Sequence, residues 1–229
     1  IGIIPNVGSD LDIDGGVVKD IVGHQNSRET VSISCTRRAR SKNILLENIR
    51  AYGPSLKGAA EVSDGATDCI LRNIYAEGTH YGVAIQDHYY LDGNPDQANT
   101  NITISNLIVK DSTYGVICQT DPIVAHDDIR IFRVSTKGTR KGLLMRDVRR
   151  LRIDNVRFSE AVKVGSVARF ENCDGFRGRD FYVEDGNSQF GAIEFQESSN
   201  IILRALTLSE NTSFNYGVLF KVEAGMTQA

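Results

Sequence analysis

Two kinds of strand-like segment alternate along the chain with one shared period. The first kind starts on a polar or small residue and then alternates: "NILLENIRA" from Asn43, "CILRNIYA" from Cys69, "NITISNLIV" from Asn101, "DIRIFRVS" from Asp128, "RLRIDNVRF" from Arg150, "GFRGRDFYV" from Gly175 and "NIILRALTL" from Asn200. These starts lie 26, 32, 27, 22, 25 and 25 residues apart. The second kind falls between them: "GAAEVSDG" from Gly58, "YGVAIQDH" from Tyr81, "YGVICQTD" from Tyr114, "KGLLMRDV" from Lys141, "SVARFENC" from Ser166, "FGAIEFQES" from Phe190 and "YGVLFKVE" from Tyr216. Alternation of apolar and polar residues marks a strand with one buried face. Nothing of helical length or period lies between the segments. A strand-only unit of this size cannot bury its own apolar face, so each turn must stack on the last. The chain is therefore expected to be all-β, a single-stranded parallel β-helix solenoid of about seven or eight coils. The repeat is regular over about residues 41–224 of a single 1–229 domain, with 1–40 as irregular first coils.

That register converts the sequence into columns. Val83, Val116, Leu143, Ala168, Ile193 and Val218 form one inward row. Ile85, Cys118, Met145, Phe170, Phe195 and Phe220 form the next, with Cys118 as a small apolar filler. The Tyr-Gly pairs at 81–82, 114–115 and 216–217 are read as bends where glycine supplies a positive φ.

Composition narrows the function classes. The net charge of −3 does not favour nucleic-acid binding. The basic runs Arg37-Arg38-Arg40-Lys42 and Arg149-Arg150-Arg152 read as solvated turns. No apolar run reaches the length of a membrane span, so no membrane partner is expected. The opening "IGIIPNVGSD" lacks the features of a signal peptide and reads as the start of a mature or truncated chain. The cysteines Cys35, Cys69, Cys118 and Cys173 form no C-x-x-C pair, and they read as buried free thiols rather than disulfides or zinc ligands.

The "YGVxI" strands interleaved with "N-I-x-I-x-N" strands resemble the right-handed parallel β-helix, or pectin-lyase-like, superfamily over roughly residues 41–224. The resemblance implies a right-handed coil and a setting outside the cell or on a cell or virion surface. That superfamily includes polysaccharide lyases, glycoside hydrolases, uronate epimerases and phage tailspikes. The tailspikes imply a homotrimer. "GTHYGVAI" is similar to the Gly-His-Gly strand entry of polygalacturonases, with His80 in the histidine place and Tyr81 at the second glycine. The paired-Asp and Arg-Ile-Lys motifs of those enzymes are not present.

The outward residues of the second segment stack as Ser63, Gln86, Gln119, Arg146, Glu171 and Gln196. The turn after it stacks Asp64, Asp87, Thr120, Asp147, Asn172 and Glu197. Such a row offers hydrogen bonds and charges at each coil to an extended polysaccharide or oligosaccharide. The longest insertion, "HYYLDGNPDQANT" from His88, follows Asp87, and insertions on a solenoid gather on the binding face. Tyr81, Gln86, Tyr89, Tyr90, Gln119, Arg146 and Glu171 are the candidate binding residues. The tyrosines suit sugar rings. Two chemistries fit. Glycoside hydrolysis needs two carboxylates, Asp64 with Asp87 or Asp87 with Asp121. Elimination needs a base, drawn from His80, His88 or Lys57, and a positive charge from Arg146, Arg140 or Ca²⁺. Asp87–His88 is a further acid/base candidate. Ca²⁺ is the one cofactor considered, and no protein metal ligands are assigned. The same ladder also fits a non-catalytic glycan-binding or structural rod, such as a tailspike shaft, adhesin or surface module.

Overall fold

A computed structural model describes residues 1–6, 8, 10–88, 97–119, 125–161 and 165–222. The chain alternates between two sheets. Sheet A holds β1 (Gly2–Ile3), β3 (Val31–Ile33), β5 (Gly58–Ser63), β7 (Tyr81–Gln86), β9 (Tyr114–Gln119), β11 (Lys141–Arg146), β14 (Ala168–Glu171), β16 (Gly186–Gln196) and β18 (Thr212–Lys221), side by side in that order. Sheet B holds β2 (Ile13–His24), β4 (Ser41–Tyr52), β6 (Ile70–Glu77), β8 (Thr100–Lys110), β10 (His126–Lys137), β13 (Arg152–Ser159), β15 (Arg177–Val183) and β17 (Ile202–Leu208), with the short β12 (Val148–Arg149) also beside β10. Each strand pairs in parallel with its counterpart one coil away. The eight strands along sheet B make a parallel β-solenoid of eight turns, with no α-helix among the described residues.

The inward columns stand where alternation put them. Val83, Val116, Leu143, Ala168, Ile193 and Val218 pair in sequence, as do Ile85, Cys118, Met145, Phe170, Phe195 and Phe220. Most of these side chains are fully buried, and Phe170 and Phe195 stack at 4.9 Å. Each buried Phe of this kind contributes about 1.5–3 kcal/mol over its exposed state. Phe220 closes the column 62% exposed, with no further described coil over it. All four cysteines are free and buried.

Two features differ from the sequence reading. Regular pairing begins before residue 41, because β2 runs beside β4 from Ile13 to His24. Its side chains are largely exposed, with one neighbouring strand rather than two, so the apolar alternation that betrays later coils is missing there. The Tyr-Gly glycines do not take positive φ. Gly82, Gly115 and Gly142 instead point into the rod, where an added Cβ would lie 2.4 Å from Val109, 2.3 Å from the Gly142 carbonyl and 2.2 Å from the Phe158 ring. Close approach of backbone to core excludes a side chain at these positions. At Gly217 the same Cβ would make ordinary contacts of 3.6 Å or more.

A continuous column of positive φ runs through sheet B instead. One column, Asp20, Asn48, Asn73, Asn106, Arg133, Asn155, Asp180 and Ala205, sits at φ 53–59° on every coil. Asparagine tolerates this left-handed conformation better than most residues. Asn48 donates to Asp20 at 2.8 Å, Asn73 to Asn48 at 3.1 Å and Asn106 to Asn73 at 2.9 Å. The second asparagine of the "N-I-x-I-x-N" motif is therefore a repeated left-handed position, held in the early coils by its own amide ladder.

Candidate functional site

The middle outward column of sheet A runs Ser32, Glu61, Ala84, Ile117, Leu144, Arg169, Glu194 and Leu219. Glu61 is only 1% exposed, and beside it Glu29 is 7% exposed. A buried carboxylate needs partners. Tyr81 supplies one: its phenol oxygen lies 2.9 Å from both Glu29 Oε1 and Glu61 Oε2. A phenol has one proton to donate, so one of the two contacts requires a carboxyl proton. Burial, then the charge of Glu29, holds the Glu61 carboxyl above its ordinary range. Burial also works against Glu29, but its backbone amide, Glu61, Tyr81 and Lys57 outweigh burial and hold it low. Each glutamate's titration thus depends on the other, with Glu29 held low and Glu61 high.

Two basic groups flank the pair. Lys57 Nζ lies 3.5 Å from Glu29 and 4.0 Å from Glu61. His88 Nε2 lies 3.5 Å from Glu61 Oε1, and its Nδ1 lies 3.2 Å from Asp64 Oδ1. The His88 amide also donates to Asp64 at 2.8 Å, and the Ser34 hydroxyl donates to the other Asp64 oxygen at 2.7 Å. The Asp64 bond, opposed by partial burial, raises the His88 pKa. Asp64 is lowered: burial opposes this, and the His88 and Ser34 hydrogen bonds overcome it.

Accessibility sorts the candidates. Asp64 is 3% exposed and Asp87 6%, so neither carboxylate faces a polymer. Tyr81, expected to meet sugar, is 1% exposed with its hydroxyl engaged by the glutamates. Ser63 is buried, its hydroxyl 3.0 Å from that of Ser34. By contrast the side chains of Lys57 and His88 are 35% and 39% exposed. His80 is also exposed, packed edge-on against Tyr114 with ring centroids 5.4 Å apart. Partial burial and then Lys57 lower its pKa. His80 lines a polar cleft of about 860 Å³ together with Ser55, Thr79, Ser112 and Arg140. Gln86 and Gln119 are half-buried and paired in the ladder, and Arg146 pairs with Glu171 one coil on, as the register implied. Asp121, Tyr89 and Tyr90 lie outside the described residues. No group of three or more His, Cys, Asp or Glu side chains suited to a metal occurs among the described residues.

Glu29 and Glu61 are the residues that strand alternation alone passed over. Their signal was faint: Glu61 is a carboxylate in a column that turns apolar at Ala84, Ile117 and Leu144. Those three residues and Tyr81 form a small apolar cluster on the outside of sheet A, with Tyr114 packed against it.

The architecture defines a parallel β-helix protein. The chain is similar in fold to PfbA, a surface adhesin of Streptococcus pneumoniae, with TM-score 0.52 and 12% identity over 93% of this chain and 73% of the adhesin. Weaker likenesses are to the catalytic domain of a GH87 α-1,3-glucanase, with TM-score 0.41, 9% identity and coverage of 98% and 58%, and to the receptor-binding domain of the siphovirus 9NA tailspike, with TM-score 0.37, 12% identity and coverage of 91% and 53%. No family model matches the chain, and no curated protein matches its sequence.

Proposed function

We propose that the outer face of sheet A binds an acidic polysaccharide and cleaves it by elimination at His88 and Lys57. One observation carries this reading. The carboxylates of the site are buried, at 1–7% exposure for Glu29, Glu61, Asp64 and Asp87, while Lys57 and His88 face solvent. Two-carboxylate hydrolysis needs carboxyl groups on either side of the glycosidic bond, and buried ones do not reach it. Elimination needs a base and a cation instead. In this reading Lys57 binds the uronate carboxylate and holds the negative charge that develops there. His88, oriented by Asp64, removes the proton from the adjacent carbon. The electron pair forms the new double bond, the bond to the leaving sugar oxygen breaks, and His88 returns the proton to that oxygen. Glu29, Glu61 and Tyr81 act as positioning residues beneath Lys57 and His88. A setting outside the cell or at a surface goes with such a substrate, and homotrimeric assembly belongs to the same reading.

The test is a panel of polyuronates and neutral glucans, read by the ultraviolet absorbance of an unsaturated uronate product. Wild type should form that product from a polyuronate. His88→Gln should lose about 10²-fold or more in turnover, and Lys57→Met should lose both turnover and affinity. New reducing ends without the chromophore would replace elimination with hydrolysis. Binding without cleavage would make the chain a glycan-binding rod.

A further inference from the structure

A second feature on sheet A lies away from His88. A groove of about 330 Å³ crosses the coils of β11, β14 and β16, and Arg140, Lys141, Arg146, Arg169, Lys221 and Ser166 line it. Five of these are cations. Glu171 and Glu194 are the carboxylates they meet. Arg146 pairs with Glu171, Arg169 lies 2.5 Å from Glu171 and 3.8 Å from Glu194, and Lys221 lies 2.6 Å from Glu194. Neither Arg140 nor Lys141 makes a close ion pair among the described residues, and Glu194 and Glu171 act on Lys141 only at longer range. Five positive charges against two negative ones leave the groove cationic within a chain whose net charge is −3.

We propose that this groove is a binding site for an anionic substituent, a sulfate or a carboxylate, carried on a glycan that lies along sheet A. Three observations converge. Ser166 is 1% exposed, lines the groove, and its hydroxyl has no hydrogen-bond partner. Burial and then Arg169 push the Lys141 ammonium down to about 8, so an added anion would relieve both costs. Arg140 lines this groove and also the cleft of His80, so the two adjoin at that residue. Lys141 stands in the column Gly58, Tyr81, Tyr114, Lys141. Lys57 precedes Gly58, so the groove lies three coil rises, ~14 Å, from the reactive lysine. That span suits a later acidic residue of one polymer. The flanking Glu171 and Glu194 favour isolated anionic groups between neutral ones over the continuous phosphates of a nucleic acid. The proposal rests on the reading of sheet A as a glycan face, but its test is separable from catalysis.

The experiment is calorimetry with five probes: a sulfated uronate oligosaccharide, its desulfated form, a neutral glucan oligosaccharide, inorganic sulfate and an RNA oligonucleotide. The variants are Lys141→Met and Arg146→Gln, each first shown to melt like wild type, with Ser166→Ala as a milder one. Anionic oligosaccharides should bind wild type at least about tenfold more tightly than either charge variant, as loss of one charge-assisted bond implies. The neutral oligosaccharide should not distinguish them. A preference for the sulfated probe assigns sulfate, and equal binding of the desulfated probe assigns carboxylate. At pH 8, where Lys141 is near half-protonated, binding should take up protons, and Lys141→Met should abolish the uptake. Unchanged affinity and no proton uptake in wild type would overturn the proposal, as would an RNA oligonucleotide that binds as tightly as the acidic glycan. If Lys141→Met binds normally while His88→Gln loses formation of the unsaturated product, the groove fails and elimination stands. If wild type forms no such product yet binds through Lys141, the groove stands and elimination fails.

Discussion

The outward charges of sheet B lie in water. Arg72 pairs with Glu47 at 2.7 Å, Arg150 with Asp127 at 2.6 Å and Arg179 with Asp154 at 2.5 Å, with guanidinium side chains 46–69% exposed. On sheet A the side chains of Glu29 and Glu61 are each 2% exposed, and that of Asp64 is 5%. The same repeat builds both faces. The polar ladder of sheet B needs no ligand to explain it: asparagine ladders and exposed ion pairs finish the outside of a rod. Sheet A takes charge out of water and surrounds it with a phenol, a lysine and a histidine. Such burial costs several kcal/mol per ion before pairing, and perturbed groups of this kind gather at functional sites.

Four substitutions set the two faces against each other. The largest effect should come from Glu61→Ala, which empties a buried position and takes one of two carboxylate partners from each of Tyr81, Lys57 and the partly buried His88. Breaking a buried set of this kind costs about 3–5 kcal/mol, readable as a lowered denaturant midpoint. A midpoint like that of wild type would place Glu61 on a face no different from sheet B.

Next is a polar group inside the rod. His126, at the start of β10, is fully buried, not in a turn, and accepts the Asn99 amide at 3.0 Å. Burial lowers its pKa to about 4 from 6.5. Between those values the unfolded chain binds a proton that the folded chain does not, so stability must fall as pH drops through that window, by roughly 3 kcal/mol in all. Asp64, held low in the fold, adds acid lability in the same direction. The difference between wild type and His126→Gln isolates the histidine. Parallel stability curves for the two proteins from pH 7 to pH 4 would remove it from the account.

The third effect is a displacement of a pH profile. Proton removal by His88 needs the neutral ring, so turnover should rise with pH through its raised pKa. Asp64→Asn removes the main cause of that rise, and the acid limb should move to lower pH while turnover at the plateau falls. An unmoved limb would take the proton transfer away from His88. The smallest effect should be at Glu47→Gln on sheet B, under about 1 kcal/mol, as for exposed pairs generally. A loss as large as that of Glu61→Ala would erase the contrast between the faces.

The fold was readable because its cause is periodic. Phe170 and its column follow from alternation alone, and stacking turns every coil into evidence for the next. The candidate site was half readable. His88 stood out at the start of the longest insertion, and His80 and Lys57 were named beside it as alternative bases. Asp64 and Asp87 were placed in the right coils, but as accessible acids. Alternation says which way a side chain leaves the sheet, not what then covers it. Glu61 leaves outward like any surface residue and becomes buried because Tyr81, Lys57 and His88 from neighbouring rows converge on it. The glycines show the same limit: "YG" announces a backbone requirement, and only the neighbouring coil tells whether the requirement is a torsion or a clearance.

The most direct test of the face assignment is lysine footprinting. Lys57, Lys141 and Lys221 lie on or beside sheet A, while Lys19 and Lys137 lie on sheet B. The protein is acetylated briefly with and without a saturating polyuronate oligosaccharide, and each lysine is followed by mass spectrometry. Protection of Lys57, Lys141 and Lys221, with Lys19 and Lys137 reacting as before, is the predicted result. Protection of Lys19 and Lys137 instead, or equal change at all five, would contradict the claim that sheet A is the glycan face.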